Sequence, residues 1–181
     1  MIAALPNIIT TFRFILVVPI SVAIFQGNDL LALILFALAG ISDGMDGFLA
    51  RRYGWQSKFG EFADPLADKC LIITTLLALA FSGRLPMWLV TTLLARDGII
   101  VIGVLLHLLL FESYNLLPNR WGKHYTGWTI ALFVIVLLRG INPEIPLFLE
   151  YIATGGVLIF IFLSITNYFL AEGKAIFKQI I

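Results

Sequence analysis

The sequence predicts an all-α, polytopic integral membrane protein, with about six transmembrane helices and a short N-terminal interfacial segment. Two observations carry this reading. Of 181 residues, 60% are hydrophobic and 13% charged, and the mean hydropathy is +0.99; a soluble domain of this length needs a far more charged surface. The apolar residues also gather into six runs near the ~20 residues a spanning helix needs. The formal net charge of +1, with no basic tract, gives no footprint for nucleic acid. The single cysteine, Cys70, has no internal disulfide partner and reads as a small packing residue. No repeat, low-complexity run or long linker interrupts the chain, so residues 1–181 read as one membrane domain.

In chain order the runs cover residues 8–25, 30–50, 61–81, 86–110, 125–138 and 145–170. The fifth is short and the last long, which predicts tilt or an interfacial portion. Turn chemistry separates them: Gln26-Gly27-Asn28-Asp29, Tyr53-Gly54-Trp55, Ser82-Gly83-Arg84 and Gly140-Ile141-Asn142-Pro143. The opening run lacks a basic leader and holds Arg13 within it, unlike a cleaved signal peptide. Pro6 suits a helix start. Asn7, Thr10 and Arg13 recur every three residues and share a face, which either meets head groups or borders a cytoplasmic cavity.

Basic residues set the orientation. With the loop between the second and third helices inside, Arg51, Arg52, Lys58, Arg120, Lys123, Lys174 and Lys178 all fall inside, and only Arg84 and Arg139 outside. Both termini and the acidic stretch described next then face the cytoplasm.

That stretch runs DGMDGFLARRYGWQSKFGEFADPLADK, from Asp43 to Lys69. Charge in so apolar a chain is expensive and marks a functional site by default. Asp43 and Asp46 are three apart and Asp64 and Asp68 four apart, so each pair shares a helix face. Two helices that join these faces form a four-carboxylate cup suited to one or two hard divalent cations, Mg²⁺ or Mn²⁺. Without a cation the carboxylates repel one another. Gly47, Ala50 and Gly60 leave helix backbone bare beside the acids, and Arg51 adds a fork that matches phosphate. Together these describe a diphosphate site. Pro65, read as early in the third helix, predicts a distorted first turn. Ser42 bonds locally, Glu61 points away from Asp64 and Asp68, and Lys69 pairs with a carboxylate or extends to the interface.

The pattern Asp43-x2-Asp46-Gly47-x2-Ala50-Arg51-x8-Gly60-x3-Asp64-x3-Asp68 resembles the signature of the CDP-alcohol phosphotransferases (CDP-alcohol phosphatidyltransferases), with every fixed position present at the family spacing. The resemblance implies an integral membrane enzyme of phospholipid biosynthesis. It implies Asp43, Asp46 and Asp64 as metal ligands, and Asp68 as ligand or general base. The CDP end of the donor lies over Asp43, Gly47, Ala50, Arg51 and Gly60. The opening Pro-Asn-x2-Thr-x2-Arg run is similar to that of many members and favours the cavity-bordering reading of Thr10 and Arg13.

Arg96-Asp97 lies near mid-depth of the fourth helix and faces protein or a polar cavity. It is a mutually neutralised pair, or Arg96 meets an anionic acceptor. His107 is a packed or interfacial histidine, with no second His or Cys to make it a ligand. In Asn119-Arg120-Trp121-Gly122-Lys123-His124-Tyr125-Thr126, cations stand at the start of the fifth helix, a good anion position. The Gly-Lys-x2-Thr run there is similar to the phosphatidylglycerophosphate synthase and cardiolipin synthase branches. The resemblance therefore implies transfer of a phosphatidyl group from CDP-diacylglycerol to glycerol 3-phosphate, with Arg96, Arg120 and Lys123 on the acceptor phosphate. Phosphatidylglycerol is the alternative acceptor, giving cardiolipin; inositol phosphate and serine stay open. A homodimer in the cell (inner) membrane is expected from the resemblance.

Two other classes fit the residues less well. A prenyltransferase needs a second aspartate-rich motif, and no aspartate follows Asp97. A cation transporter would use the same acids, but would show inverted repeats or broken helices in both halves, and would leave Arg51 and Gly60 without a role.

Overall fold

The computed structural model describes the backbone of residues 5–53, 58–110 and 120–180, and the side chains of residues 10–44, 64–106, 109 and 120–170. The described residues form six α-helices: α1 (Leu5–Phe25), α2 (Asp29–Tyr53), α3 (Lys58–Phe81), α4 (Met87–Leu110), α5 (Arg120–Ile141) and α6 (Leu147–Ile180). No strand occurs among them. An all-helical chain is what an apolar medium demands, because helices satisfy their own backbone groups. Among the described residues, Met87–Leu106, Arg120–Ile141 and Leu147–Leu170 are long and apolar enough to cross a membrane, and Thr10–Phe25 is a shorter apolar stretch.

Several boundaries differ from expectation, most of all the last helix, which runs ten residues past Leu170 to Ile180. The polar opening is continuous with α1. The fifth helix is not short: it gains Arg120–His124 in front and residues 139–141 behind. Those leading residues are polar, so hydropathy stops short of them while helical hydrogen bonding does not. Pro65 lies inside α3 rather than in its first turn, because α3 already begins at Lys58. It removes one backbone hydrogen bond without ending the helix.

The helices divide into two compact units. The first is Met1–Pro86 with Val136–Ile145; the second is Met87–Ile135 with Pro146–Ile181. In the first, α1 packs against both α2 and α3. Its buried residues Leu16, Ile20, Ala23 and Ile24 recur at helical spacing. They meet inward faces of Ala32, Phe36 and Ala39 on α2, and Ala67, Leu71, Leu76 and Leu79 on α3. The alanines allow close helix approach, which drives packing where lipid is as apolar as the partner helix. Ile15, Val18 and Val22 of α1 and Ile34, Leu38 and Ile41 of α2 face outward.

The same unit closes at one end with two like turns. Gly27 and Gly83 both take a positive φ, 74° and 75°. Asn28 N–H bonds Ala23 O at 2.9 Å and Arg84 N–H bonds Leu79 O at 2.9 Å, the six-to-one closure that glycine permits after a helix. Asn28 Oδ1 then accepts from Leu31 N–H at 3.1 Å and caps α2. An ion pair between Arg84 and buried Asp29 ties the two turns together. Gly140 of α5 lies against Asp29, where a Cβ would collide with the carboxylate.

In the second unit α4 packs on α6. Leu89, Val90 and Leu93 of α4 are buried, as are Ala153, Val157 and Ile161 of α6 and Leu132 and Phe133 of α5. Gly156 lies directly beneath the Trp128 ring, and Phe160 stacks on His124 with centroids 5.3 Å apart.

Candidate active site

The site is assembled from three helices of the first unit. Asp64 and Asp68 share a face of α3, Asp43 projects from α2, and Thr10 and Arg13 share a face of α1. Arg13 is the centre: it is 1% exposed, yet its guanidinium reaches all three carboxylates. Nη1 lies 2.9 Å from Asp43 Oδ1 and also contacts Asp68 Oδ1. Nη2 donates to Asp64 Oδ1 at 3.1 Å, and Thr10 Oγ1 donates to the same oxygen. Fully buried Ala67, between the two aspartates of α3, lets α1 come this close.

A buried guanidinium is tolerated only when paired, and a fork is the shape that serves several carboxylates at once. The carboxylates themselves stay about half exposed, open to a ligand. Three acids against one cation leave the cluster negative by two charges. An all-oxygen, net-negative donor set converging from two helices fits a hard divalent cation. Among the described residues the carboxylates surround the guanidinium rather than forming a ready cation cage.

Of the predicted site residues, the structure brings Asp43, Asp64 and Asp68 together. Asp46, Gly47, Ala50 and Arg51 lie on the backbone of α2 and Gly60 on that of α3; their side chains fall outside the described residues, as do those of Glu61 and His107. Ser42 bonds its own helix at Leu38 O, 2.7 Å away, and Lys69 is exposed. Thr10 and Arg13 are site residues that the signature does not contain. Their signal was the three-residue spacing of polar groups in an apolar helix.

In the second unit Arg96 is buried and both of its terminal nitrogens are engaged. Nη1 donates to Asp97 Oδ1 at 2.7 Å, Nη2 to Ser164 Oγ at 2.5 Å, and its carbon lies 4.2 Å from the Tyr125 ring centroid. Gly122 lies beside the same group, 3.5 Å from Nη2 to where a Cβ would stand. Arg120 and Lys123 are exposed on the first turns of α5. Lys123 lines a shallow groove with His124, Gly127, Trp128 and Ala131.

A net-negative cluster of carboxylates in an apolar helical protein points to a cation-using membrane enzyme, and comparison with known proteins gives the family. The sequence profile of the CDP-alcohol phosphatidyltransferase family matches residues 3–168. The chain is 36% identical over 146 residues to a probable phosphatidylglycerophosphate synthase of Mycobacterium tuberculosis, covering 75% of this chain and 68% of that protein. It is 38% identical over 147 residues to a CDP-diacylglycerol–glycerol-3-phosphate 3-phosphatidyltransferase of Blochmanniella floridana, covering 76% and 75%. It is 43% identical over 97 residues to a probable CMP-forming cardiolipin synthase of Drosophila melanogaster, covering 53% and 30%. The chain belongs to the CDP-alcohol phosphatidyltransferase family, whose members are membrane-bound and divalent-metal dependent. It is a transferase of phospholipid biosynthesis.

Proposed function

We propose that the chain transfers the phosphatidyl group of CDP-diacylglycerol to glycerol 3-phosphate, giving phosphatidylglycerophosphate and CMP. The convergence of Asp43 and Asp68 from two helices on one nitrogen carries the metal-dependent chemistry. The relatives named for glycerol-3-phosphate transfer support the acceptor.

Asp43, Asp46, Asp64 and Asp68 would hold Mg²⁺ or Mn²⁺, two ions in our reading, and a cation held there would supply charge to polarise the phosphoryl oxygens and ease the departure of CMP. Asp68 takes the proton of the acceptor hydroxyl. The hydroxyl oxygen bonds to the phosphorus that carries diacylglycerol, the bond from that phosphorus to the bridging oxygen breaks, and CMP leaves with that oxygen. Arg51 and the bare backbone at Gly47, Ala50 and Gly60 receive the CDP end. Arg120 and Lys123 offer exposed charge to the acceptor phosphate; Arg96, already engaged, is the third cation in this assignment. We further read residues 1–181 as one domain with six spans, working as a homodimer in the inner membrane with acids and termini on the cytoplasmic side.

The second reading, transfer to phosphatidylglycerol, rests on the cardiolipin synthase relatives. Purified protein in detergent, supplied with CDP-diacylglycerol, Mg²⁺ or Mn²⁺ and one acceptor at a time, decides. CMP release with glycerol 3-phosphate alone is expected. Release only with phosphatidylglycerol moves the product to cardiolipin, and metal-independent release or none at all refutes the proposal.

A further inference from the structure

Arg13 stands where a cation bound by Asp43, Asp64 and Asp68 would share their oxygens. Its two terminal nitrogens reach one oxygen of each acid. Oxygens that surround a guanidinium at ~3 Å are spread wider than those around Mg²⁺, where ligand distances are ~2.1 Å. The guanidinium and a divalent cation therefore draw on the same oxygens, and each must displace the other.

We propose that Arg13 is a positioning residue that acts as the built-in counter-cation of the acid cup, holding the metal-free carboxylates together and competing with the divalent cation for them. Without it the acids of α2 and α3 repel across a short gap in an apolar protein. With it, the cation-ready arrangement is a fraction of the metal-free ensemble, and apparent metal affinity is reduced by that fraction. The fork thus sets the metal concentration at which the enzyme loads. Thr10, which donates to Asp64 from the same helix face, holds that acid in place whether or not Arg13 is engaged. The inference rests on the acids being the metal ligands.

The test is direct binding of Mn²⁺ alone to the purified full chain in detergent, followed by the Mn²⁺ electron paramagnetic resonance signal, with thermal unfolding in EDTA and in Mn²⁺. Arg13→Gln is expected to tighten Mn²⁺ binding at least tenfold, to lower the unfolding temperature in EDTA, and to show a larger Mn²⁺-induced rise than the parent protein. Arg13→Lys keeps the charge but not the fork and is expected to fall between. Recovery of the Gln variant only in the presence of Mn²⁺ is also an expected result. Unchanged or weaker Mn²⁺ binding in Arg13→Gln, with Asp43→Asn weakened as expected, overturns the inference and leaves the metal-ligand reading intact. Equal Mn²⁺ binding by the parent and Asp43→Asn overturns both. Failure of the Gln and Lys variants to fold even with Mn²⁺ would make Arg13 a plain structural pin and sink the proposal.

Discussion

Nη1 of Arg13 on α1 lies 2.9 Å from Oδ1 of Asp43 on α2, while the same nitrogen contacts Asp68 on α3. One buried cation therefore fixes the carboxylate-bearing faces of two other helices. Opposite charge holds together groups that would separate if left alone.

Removing an acid from this cluster should stop the reaction rather than the fold. Asp68→Asn is expected to lower metal-dependent CMP release by ~10²–10⁴-fold, the usual contribution of a proton-transfer group. Thermal unfolding should move little, because the amide keeps the shape. Retention of more than a tenth of the parent rate would take Asp68 out of the chemistry.

Metal removal makes the same point without mutation. Dialysis against EDTA should abolish CMP release, and Mg²⁺ or Mn²⁺ should restore it, whereas monovalent salt at equal ionic strength should not. Restoration by salt would mean the acids need screening and not a coordinated ion.

The two sets of basic residues in the second unit should separate cleanly. Lys123→Ala and Arg120→Ala remove exposed charge and are expected to raise KM for glycerol 3-phosphate by ~3–10-fold with unfolding unchanged. Arg96→Ala leaves Asp97 buried without its guanidinium, a change worth about 3 kcal/mol, so its unfolding temperature should fall first. An Arg96 variant of full stability with only a KM defect would return Arg96 to direct acceptor binding.

Two glycines of one helix should respond with opposite sign to the same methyl group. Gly140→Ala drives a Cβ into the Asp29 carboxylate, whereas a Cβ at Gly127 meets nothing within 4 Å. Gly127→Ala should be neutral or stabilising by up to about 1 kcal/mol. Gly140→Ala should destabilise, and differential scanning of both variants in one detergent gives the comparison. Equal shifts would remove Gly140 from the contact with Asp29.

A double-mutant cycle on Asp29 and Arg84 measures the ion pair that ties the two glycine turns. Arg84 is partly exposed, so the coupling should reach about 1–2 kcal/mol, between surface and buried values. Additive effects would show that the turns are closed by backbone geometry alone.

Much of this was legible in the chain because helical periodicity is a local rule. The four-residue spacing of Asp64 and Asp68 dictates a shared face, and the structure keeps it. What joins that face to the other helices was not legible: Arg13 finds its partners on α2 and α3 through packing, which no spacing within α1 encodes. The face of Asn7, Thr10 and Arg13 announced that α1 had a polar side, but not what it met. Adjacency announced Arg96–Asp97, while Ser164 and Tyr125 arrive from other helices. Asp29 and Arg84 looked like ordinary turn residues, since nothing local says that two turns meet. The fifth helix exceeds its apolar run because hydropathy registers lipid and not hydrogen bonding.

The pinned end of the first unit acts as the zero mark of a ruler. From it, Asp43 lies 14 residues along α2 from Asp29, Arg13 lies 12 along α1 from Phe25, and Asp68 lies 13 along α3 from Phe81. At ~1.5 Å per residue these are strokes of about 18–21 Å, equal within one turn. The opposed charges meet because three segments have been cut to the same length. One residue inserted in any segment would swing its charge by ~100° and carry it past its partners. The chain should therefore tolerate exchange of its lipid-facing side chains far better than any change in their number.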